Sequence, residues 1–299
     1  MILVTGITGH SGRFFLEELV NNKFTGKIRC IVRSTSDIGF MEDCGLDIQI
    51  CVGDLTDQNF LDQAMKGIVE IVHIASIFYS INVIQSAVRH NVKRAIFVHT
   101  TGIYSKFKTA SEEYRNIESR IKKIIDESNS SIKIIYLRPT MIYGNLNDRN
   151  MVIFIRIIDK LRVVPVISKG MSLLQPVNGR DLGKAYYQLL IKTEIISGDY
   201  ILSGDKPITM IEMFKLISEH LNKKTFFVSV PLEIGVWLGQ TLKLISFNKV
   251  DLVEKIQRMG EDRSFTHDLA QRDFHYCPMA FRDGLKIEVD EYLKSLQRD

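Results

Sequence analysis

Short apolar runs alternate with helical patterns through the first half of the chain. Ile2–Thr5, Ile28–Val32, Asp47–Val52, Glu70–Ile74, Arg94–His99 and Ile132–Leu137 read as strands. Between them, residues 12–22 place Phe15, Leu16, Leu19 and Val20 on one face at helical spacing. Residues 54–66 read as a turn and helix, 82–90 as a helix and 110–128 as a long helix. Strands separated by helices imply βαβ crossovers and a parallel sheet. Nearly continuous apolar strands mean that helices cover both sheet faces. The predicted fold class is therefore α/β, a doubly wound parallel sheet.

After Arg138-Pro139 the alternation weakens. Residues 151–161, 208–222, 232–245 and 284–296 read as helices, and 163–167 and 199–202 as short strands. The expected division is a nucleotide-binding domain over 1–164 and a smaller mixed α/β region over 165–299, with some later segments returning to the first. The stretch from Val228 to Phe247 is apolar but interrupted by Pro231, Glu233, Gln240 and Lys243. A membrane-spanning helix needs about 20 mostly apolar residues. The stretch instead reads as a buried or amphipathic helix with Trp237 on its apolar side. No repeat or low-complexity segment is visible.

Composition narrows the function classes. The 299 residues are 45% hydrophobic and 25% charged, with 39 basic and 35 acidic residues giving a net charge of +4. That excess is too small, and too interspersed, to predict nucleic-acid binding. Cys30, Cys44, Cys51 and Cys277 form no CxxC pair and read as reduced thiols. A strand begins directly after Met1, so a cytoplasmic protein is expected. No His/Cys/Asp/Glu spacing predicts a metal.

The densest chemistry is the loop Thr5-Gly6-Ile7-Thr8-Gly9-His10-Ser11-Gly12. It follows a strand and opens a helix, the context in which such a pattern binds a dinucleotide. Gly6 allows the tight turn, Gly9 lets backbone approach a phosphate, and Gly12 permits close helix–sheet packing. The helix N-terminus offers free amides to the pyrophosphate. The sheet is thus expected to be Rossmann-type. NAD binders usually end the second strand with an acid that holds the ribose hydroxyls. Here Arg33, Ser34, Thr35 and Ser36 follow Val32. Arginine and hydroxyls suit a 2′-phosphate, which favours NADP(H) over NAD(H). Arg13 is a further candidate cation.

These motifs together resemble the short-chain dehydrogenase/reductase superfamily, in the extended or atypical NAD-dependent epimerase/dehydratase branch. The resemblance spans essentially the whole chain. The TGxxGxxG pattern is Thr5–Gly12, the adenine-contacting pair is Asp54-Leu55, and the apolar motif after the fourth strand is His73-Ile74-Ala75-Ser76. The Ser/Thr position is Thr100 or Thr101. The RPxxxYG motif is Arg138–Gly144, and PVxxxDL is Pro176–Leu182. The resemblance implies cofactor contacts at Gly6, Thr8, Gly9, His10, Ser11, Gly12, Arg33, Ser34, Asp54, Leu55, Ile74, Ala75, Ser76, Thr100 and Pro139. It also implies a nucleotide-sugar substrate near Tyr104, Tyr143 and Asn178, and a homodimer built on long helices.

The catalytic positions depart from the family pattern. The family's Tyr-x-x-x-Lys maps onto Tyr114-Arg115-Asn116-Ile117-Glu118, so a carboxylate stands where the lysine is expected. A cation lowers a tyrosine pKa, whereas a carboxylate raises it. Glu118 therefore opposes a tyrosinate base. Its ordinary reading is a helix-surface partner of Lys122 at i,i+4. Tyr104, Lys106 and Lys108 follow the fifth strand as further acid, base or phosphate-contact candidates, and His73 and His99 read as packing residues. Two functions compete. One is an NAD(P)(H)-dependent epimerase, dehydratase or reductase, with Thr101 bonded to the reacting oxygen and Tyr114 moving the proton. The other is an NADP(H)-binding sensor without turnover.

Overall fold

The computed structural model describes residues 1–107, 109–148, 150–245 and 253–297; Lys108 lies outside them. The first half alternates β1 (Ile2–Thr5), α1 (His10–Asn21), β2 (Ile28–Val32), β3 (Ile48–Val52), α2 (Gln58–Met65), β4 (Glu70–His73), α3 (Ser80–Arg89), β5 (Arg94–Val98), α4 (Ala110–Glu127) and β6 (Lys133–Pro139). Then come β7 (Ile142–Tyr143), α5 (Met151–Lys160), β8 (Val163–Ile167), β9 (Leu173–Leu174), β10 (Val177–Asn178), α6 (Gly179–Ile191) and β11 (Gly198–Leu202). The chain continues with β12 (Ile208–Thr209), α7 (Met210–His220), β13 (Phe226–Val230), α8 (Leu232–Ile245), α9 (Val253–Met259), α10 (Asp268–Phe274) and α11 (Phe281–Leu296).

Seven parallel strands form the central sheet in the order β11-β6-β5-β4-β1-β2-β3. The order reverses direction between β1 and β4, the point where such sheets bind ligands beyond their carboxyl ends. The central strands are buried on both faces because they are apolar at nearly every position, and all of β5 is buried, whereas the edge strand β3 is only half-buried to exposed. One face packs Phe15, Leu16 and Leu19 of α1 against Tyr186 and Leu189 of α6. The other packs Leu61 and Met65 of α2, Val83 and Ile84 of α3, and Ile117 and Ile121 of α4. Each such large apolar side chain contributes roughly 1.5–3 kcal/mol on burial. A third core joins α5, α7 and α11 through Ile155, Phe214, Ile217, Leu285 and Val289. Both α6 and β11 return to the main sheet, β11 pairing in register with β6 from Gly198–Ile135 to Leu202–Pro139.

Differences from the pattern reading have local causes. α1 begins at His10 because Gly9 already serves as its N-cap. The apolar stretch from Val228 divides at Pro231. β13 runs up to it, pairing parallel with β8, and α8 starts beyond it. A residue before proline is held extended, and proline itself suits a helix start. The apolar side of α8 is not covered as expected: Ile234, Trp237 and Leu238 are exposed. Among the described residues, no helix is long and apolar enough to cross a membrane.

Candidate active site

The loop after β1 folds as a phosphate cradle. Gly6 has φ +79°, and a Cβ there would lie 2.5 Å from Ala75 N, so only glycine fits. A Cβ on Gly12 would lie 2.1 Å from Gly6 O. Gly9 N donates to Gly6 O at 3.0 Å, and no side chain caps the start of α1. The first amides of this helix are therefore left to a ligand. Beside them lies a cleft of about 500 Å³. Gly6, Thr8, Gly9, His10 and Ser11 form its near wall. Arg33, Asp54 and Leu55 close one end, and Ile74, Ala75 and Ser76 line its floor. Gly12 packs behind the loop.

The end of the cleft at β2 differs in detail from the sequence expectation. Ser34 is exposed and is not part of the cleft wall, whereas Ser36 is. Ser36 Oγ accepts from Arg33 N at 3.3 Å and from Thr8 Oγ1 at 3.5 Å. Arg13 turns away to pair with Asp37 at 2.9 Å and to lie over Phe40, so its charge is already engaged. The remaining cation is Arg33. Asp54 accepts from both Thr56 N and Thr56 Oγ1 at 2.8 Å, and these bonds hold its pKa below the usual carboxylate range. His73 is buried against Thr5 Oγ1 at 2.7 Å, and burial lowers its pKa to about 3, so it is neutral.

A second cavity, about 310 Å³, lies along the same carboxyl edge at the ends of β5 and β6. Thr100, Thr101 and Tyr104 line one side; Asn150, Gln175, Arg258, Arg263 and Phe265 line the other. Thr100 Oγ1 accepts from Gly102 N at 2.9 Å and starts the single helical turn that carries Thr101 and Tyr104. Thr101 Oγ1 donates to Pro139 O at 3.2 Å. That bond, rather than a wall of the dinucleotide cleft, is where Pro139 sits. Thr100 likewise lines this second cavity, not the cleft. Arg258 and Arg263 each bury an Nε that has no partner among the described residues. Burial, with Arg258 beside it, lowers the Arg263 pKa to about 10. The neighbouring acids are engaged elsewhere: Glu261 accepts from Ser105 Oγ, and Asp262 from Leu173 N.

The Tyr114–Glu118 pair does not come together at either cavity. Tyr114 is 8% exposed and packs on Phe78 within the core beneath α3 and α4. Glu118 is not a surface partner of Lys122. Its carboxylate accepts from His99 Nδ1 at 2.7 Å and from both Arg138 terminal nitrogens at 2.7 and 2.9 Å. Arg138 donates further to Asp199 at 2.6 and 2.7 Å. Burial pushes the Glu118 pKa up, but the bonds from His99 and Arg138 outweigh it and hold the carboxyl at about 2. Burial lowers the His99 pKa more than Glu118 raises it. A neutral ring that donates from Nδ1 to Glu118 accepts at Nε2 from Ser80 Oγ, 3.0 Å away. His99 is thus a member of a buried polar network rather than a packing residue. The Arg138 guanidinium also lies 5.8 Å from the Tyr104 ring. Burial raises the Tyr104 pKa above its ordinary value.

Tyr143 and Asn178 sit away from both cavities, each 1% exposed. Tyr143 packs on Phe281 of α11, and Asn178 caps α6 by accepting from Arg180 N at 3.0 Å. Their motif positions build the framework: Tyr143 O faces His10 Nε2 at 3.2 Å, which ties the glycine loop to β7. Ser36, one of the hydroxyls after Val32, lines the cleft in place of Ser34; sequence reading missed Gln175, Arg258 and Arg263. The two arginines lie in a stretch without periodic signal and reach the cavity only through tertiary folding.

Comparison with known proteins agrees with this geometry. Residues 6–153 match a family model described as NAD(P)H-binding. A UDP-glucose 4-epimerase from Vibrio cholerae is 22% identical, covering 99% of this chain and 97% of the relative. A dTDP-glucose 4,6-dehydratase from Streptomyces venezuelae, solved with NAD bound, superposes with a TM-score of 0.75 at 16% identity, covering 99% of this chain and 98% of that one. A UDP-glucose 4-epimerase from Thermotoga maritima, solved with UDP-glucose, gives a TM-score of 0.73 at 15% identity and covers 99% of each chain.

Proposed function

We propose that this chain, whose residues 6–153 match the NAD(P)H-binding family model and whose fold is that of solved nucleotide-sugar epimerases and dehydratases, is a member of the epimerase/dehydratase branch of the short-chain dehydrogenase/reductase superfamily and an NADP(H)-dependent oxidoreductase acting on a nucleotide-linked sugar. The observation that carries the reading is the pairing of two cavities along one sheet edge. One is lined by an uncapped helix start and glycine loop, the other by two half-buried arginines whose Nε atoms are buried without a partner among the described residues. The cleft fits a dinucleotide: Gly6 and Gly12 leave no room for a Cβ, and Arg33 with Ser36 stands where a 2′-phosphate would lie. The nicotinamide, when bound, supplies or takes a hydride.

The chain's own residues do the rest. Arg258 and Arg263 hold the diphosphate of the substrate, because each presents an unpartnered donor from a buried position. Thr100 holds the reacting oxygen, since its hydroxyl accepts from Gly102 N and keeps its own proton to donate, whereas the Thr101 hydroxyl donates to Pro139 O and anchors the turn. Tyr104 replaces Tyr114 as proton donor, since it lines the cavity and Tyr114 does not. Its phenol is protonated at neutral pH and so can donate to a carbonyl oxygen under reduction, although burial, by raising its pKa, weakens it as an acid until the bound cofactor changes its surroundings. A second reading, cofactor binding without turnover, draws on one observation: Glu118 is consumed by Arg138 and His99, so no lysine–tyrosine pair exists on α4.

The test is absorbance at 340 nm with NADPH and a panel of UDP- and dTDP-linked sugars and their 4-keto forms. Consumption with at least one of them is expected, with Tyr104→Phe slowed ~10²–10⁴-fold. Tight NADPH binding with no consumption across the panel favours the second reading.

A further inference from the structure

One carboxylate ties together the two walls of the arginine-bearing cavity. The segment from Arg258 to Phe265 is fastened to the smaller layer. Arg263 N donates to Leu173 O at 2.7 Å, Leu173 N donates to Asp262 at 2.8 Å, and Phe265 N donates to Gln175 Oε1 at 2.9 Å. Glu261 reaches in the other direction. It accepts from Ser105 Oγ and from Lys106 N, both at 2.7 Å. Glu254 of α9 adds a bond from Thr109 N at 3.2 Å. Ser105, Lys106 and Thr109 belong to the loop that links Tyr104 to α4. The same segment carries the two arginines, three residues before Glu261 and two after it.

The electrostatics make this arrangement responsive. Two half-buried arginines share one cavity wall, each with a buried Nε that has no partner among the described residues, and the charge of Arg258 contributes to the lowered pKa of Arg263. An anion between them replaces repulsion with charge-assisted hydrogen bonds, roughly twice as strong as neutral ones. That fixes the segment, and with it the acceptor of the loop's donors.

We infer that Glu261 is a positioning residue that couples anion occupancy of the Arg258–Arg263 pair to the order of the loop beginning at Ser105, and so to the placement of Tyr104 in the cavity. The inference rests on the diphosphate reading above, and deepens it. Glu261 makes its hydrogen bonds to the loop and not to the arginines, and only its charge reaches Arg263; losing that charge leaves anion affinity equal or tighter while removing the tie to the loop.

The experiment is hydrogen exchange by mass spectrometry on the full chain, with no ligand, with UDP and with inorganic pyrophosphate. UDP affinity is measured in parallel by calorimetry. UDP is expected to slow exchange across Ser105–Phe107 at least tenfold in the wild type. In Glu261→Gln the slowing falls below threefold, while UDP affinity is equal or tighter. Glu261→Asp, which keeps the charge on a shorter arm, restores part of the protection. Arg258→Ala loses both affinity and protection. Equal protection in Glu261→Gln and wild type overturns the inference, as does UDP binding without any protection. Failure of UDP and pyrophosphate to bind the wild type overturns the diphosphate reading itself and the inference with it. Thermal melts of each variant separate a lost coupling from a lost fold.

Discussion

Placing a lysine at position 118 restores the residue type of the family motif, yet the structure predicts damage rather than gain. The new ammonium would sit against Arg138 and His99, in the space where a carboxylate now accepts three hydrogen bonds. Removing one partner of a buried ion pair typically costs 3–5 kcal/mol. The pKa depression gives a similar size: from the ordinary 4.5 to about 2 corresponds to roughly 3 kcal/mol. Asp199 still pairs with Arg138 in the variant, which places Glu118→Gln at the lower end of that range. Glu118→Lys adds a repelling charge and lies at the upper end. For a chain of this size that is a melting-temperature loss of roughly 5–10 °C. The pH dependence has a definite direction. A depressed carboxyl contributes its full stability above about pH 4.5 and loses it as the pH falls towards 2. The gap between wild type and Glu118→Gln in urea denaturation should therefore be widest near neutral pH and shrink below pH 4. A Glu118→Lys protein that melts with the wild type, and turns over faster, would refute the network as drawn.

Arg33→Ala is expected to weaken NADPH binding at least tenfold while leaving NADH nearly unchanged, because Arg33 is the cleft cation not already paired as Arg13 is; fluorescence titration of both cofactors checks this. Gly12→Ala places a methyl 2.1 Å from Gly6 O, so calorimetry should find cofactor affinity largely lost even where the protein still folds. Glu288 of α11 is fully buried, and its pKa is raised to about 10 by burial and by Asp148. The folded state thus holds a proton that the unfolded chain releases near pH 4.5, and stability falls as pH rises from there towards 10. Glu288→Gln, which keeps a donor without that proton cost, should melt higher than the wild type at pH 8 and by a smaller margin at pH 5.

The periodicity of the first half was sufficient for the parallel sheet because each strand is apolar on both faces and each helix has one apolar stripe. The two-residue ladders at β7, β9, β10 and β12 carry no period at all, and β13 was masked by the apolar residues that continue past Pro231 into α8. The glycine loop was legible because much of its constraint is local: Gly12 is excluded from bearing a Cβ by Gly6 and Ile7, and Gly6 has a positive φ, although the atoms nearest a Cβ on Gly6 come from Ile74 and Ala75 just beyond β4. Glu118 was legible as an anomaly and not as a network. Its partners are His99, just past β5, and Arg138 of β6, with Asp199 of β11 as the second partner of Arg138, and nothing in helical spacing points to them. Arg258 and Arg263 were invisible for the same reason. Tyr143 and Asn178 illustrate the converse: a motif position was read as a contact to ligand, whereas burial makes both part of the framework beneath α11.

If a cofactor in the glycine-loop cleft and a sugar in the arginine-lined cavity exchange a hydrogen, a label on the cofactor must reach the sugar. Single-turnover reaction of the protein with NADPH deuterated at the transferring position and a 4-keto nucleotide sugar, followed by mass spectrometry of the sugar, tests it directly. A product one mass unit heavier, absent when Tyr104→Phe is used over the same time, is the predicted result. Both ligands bound at once with no deuterium in the sugar would contradict it.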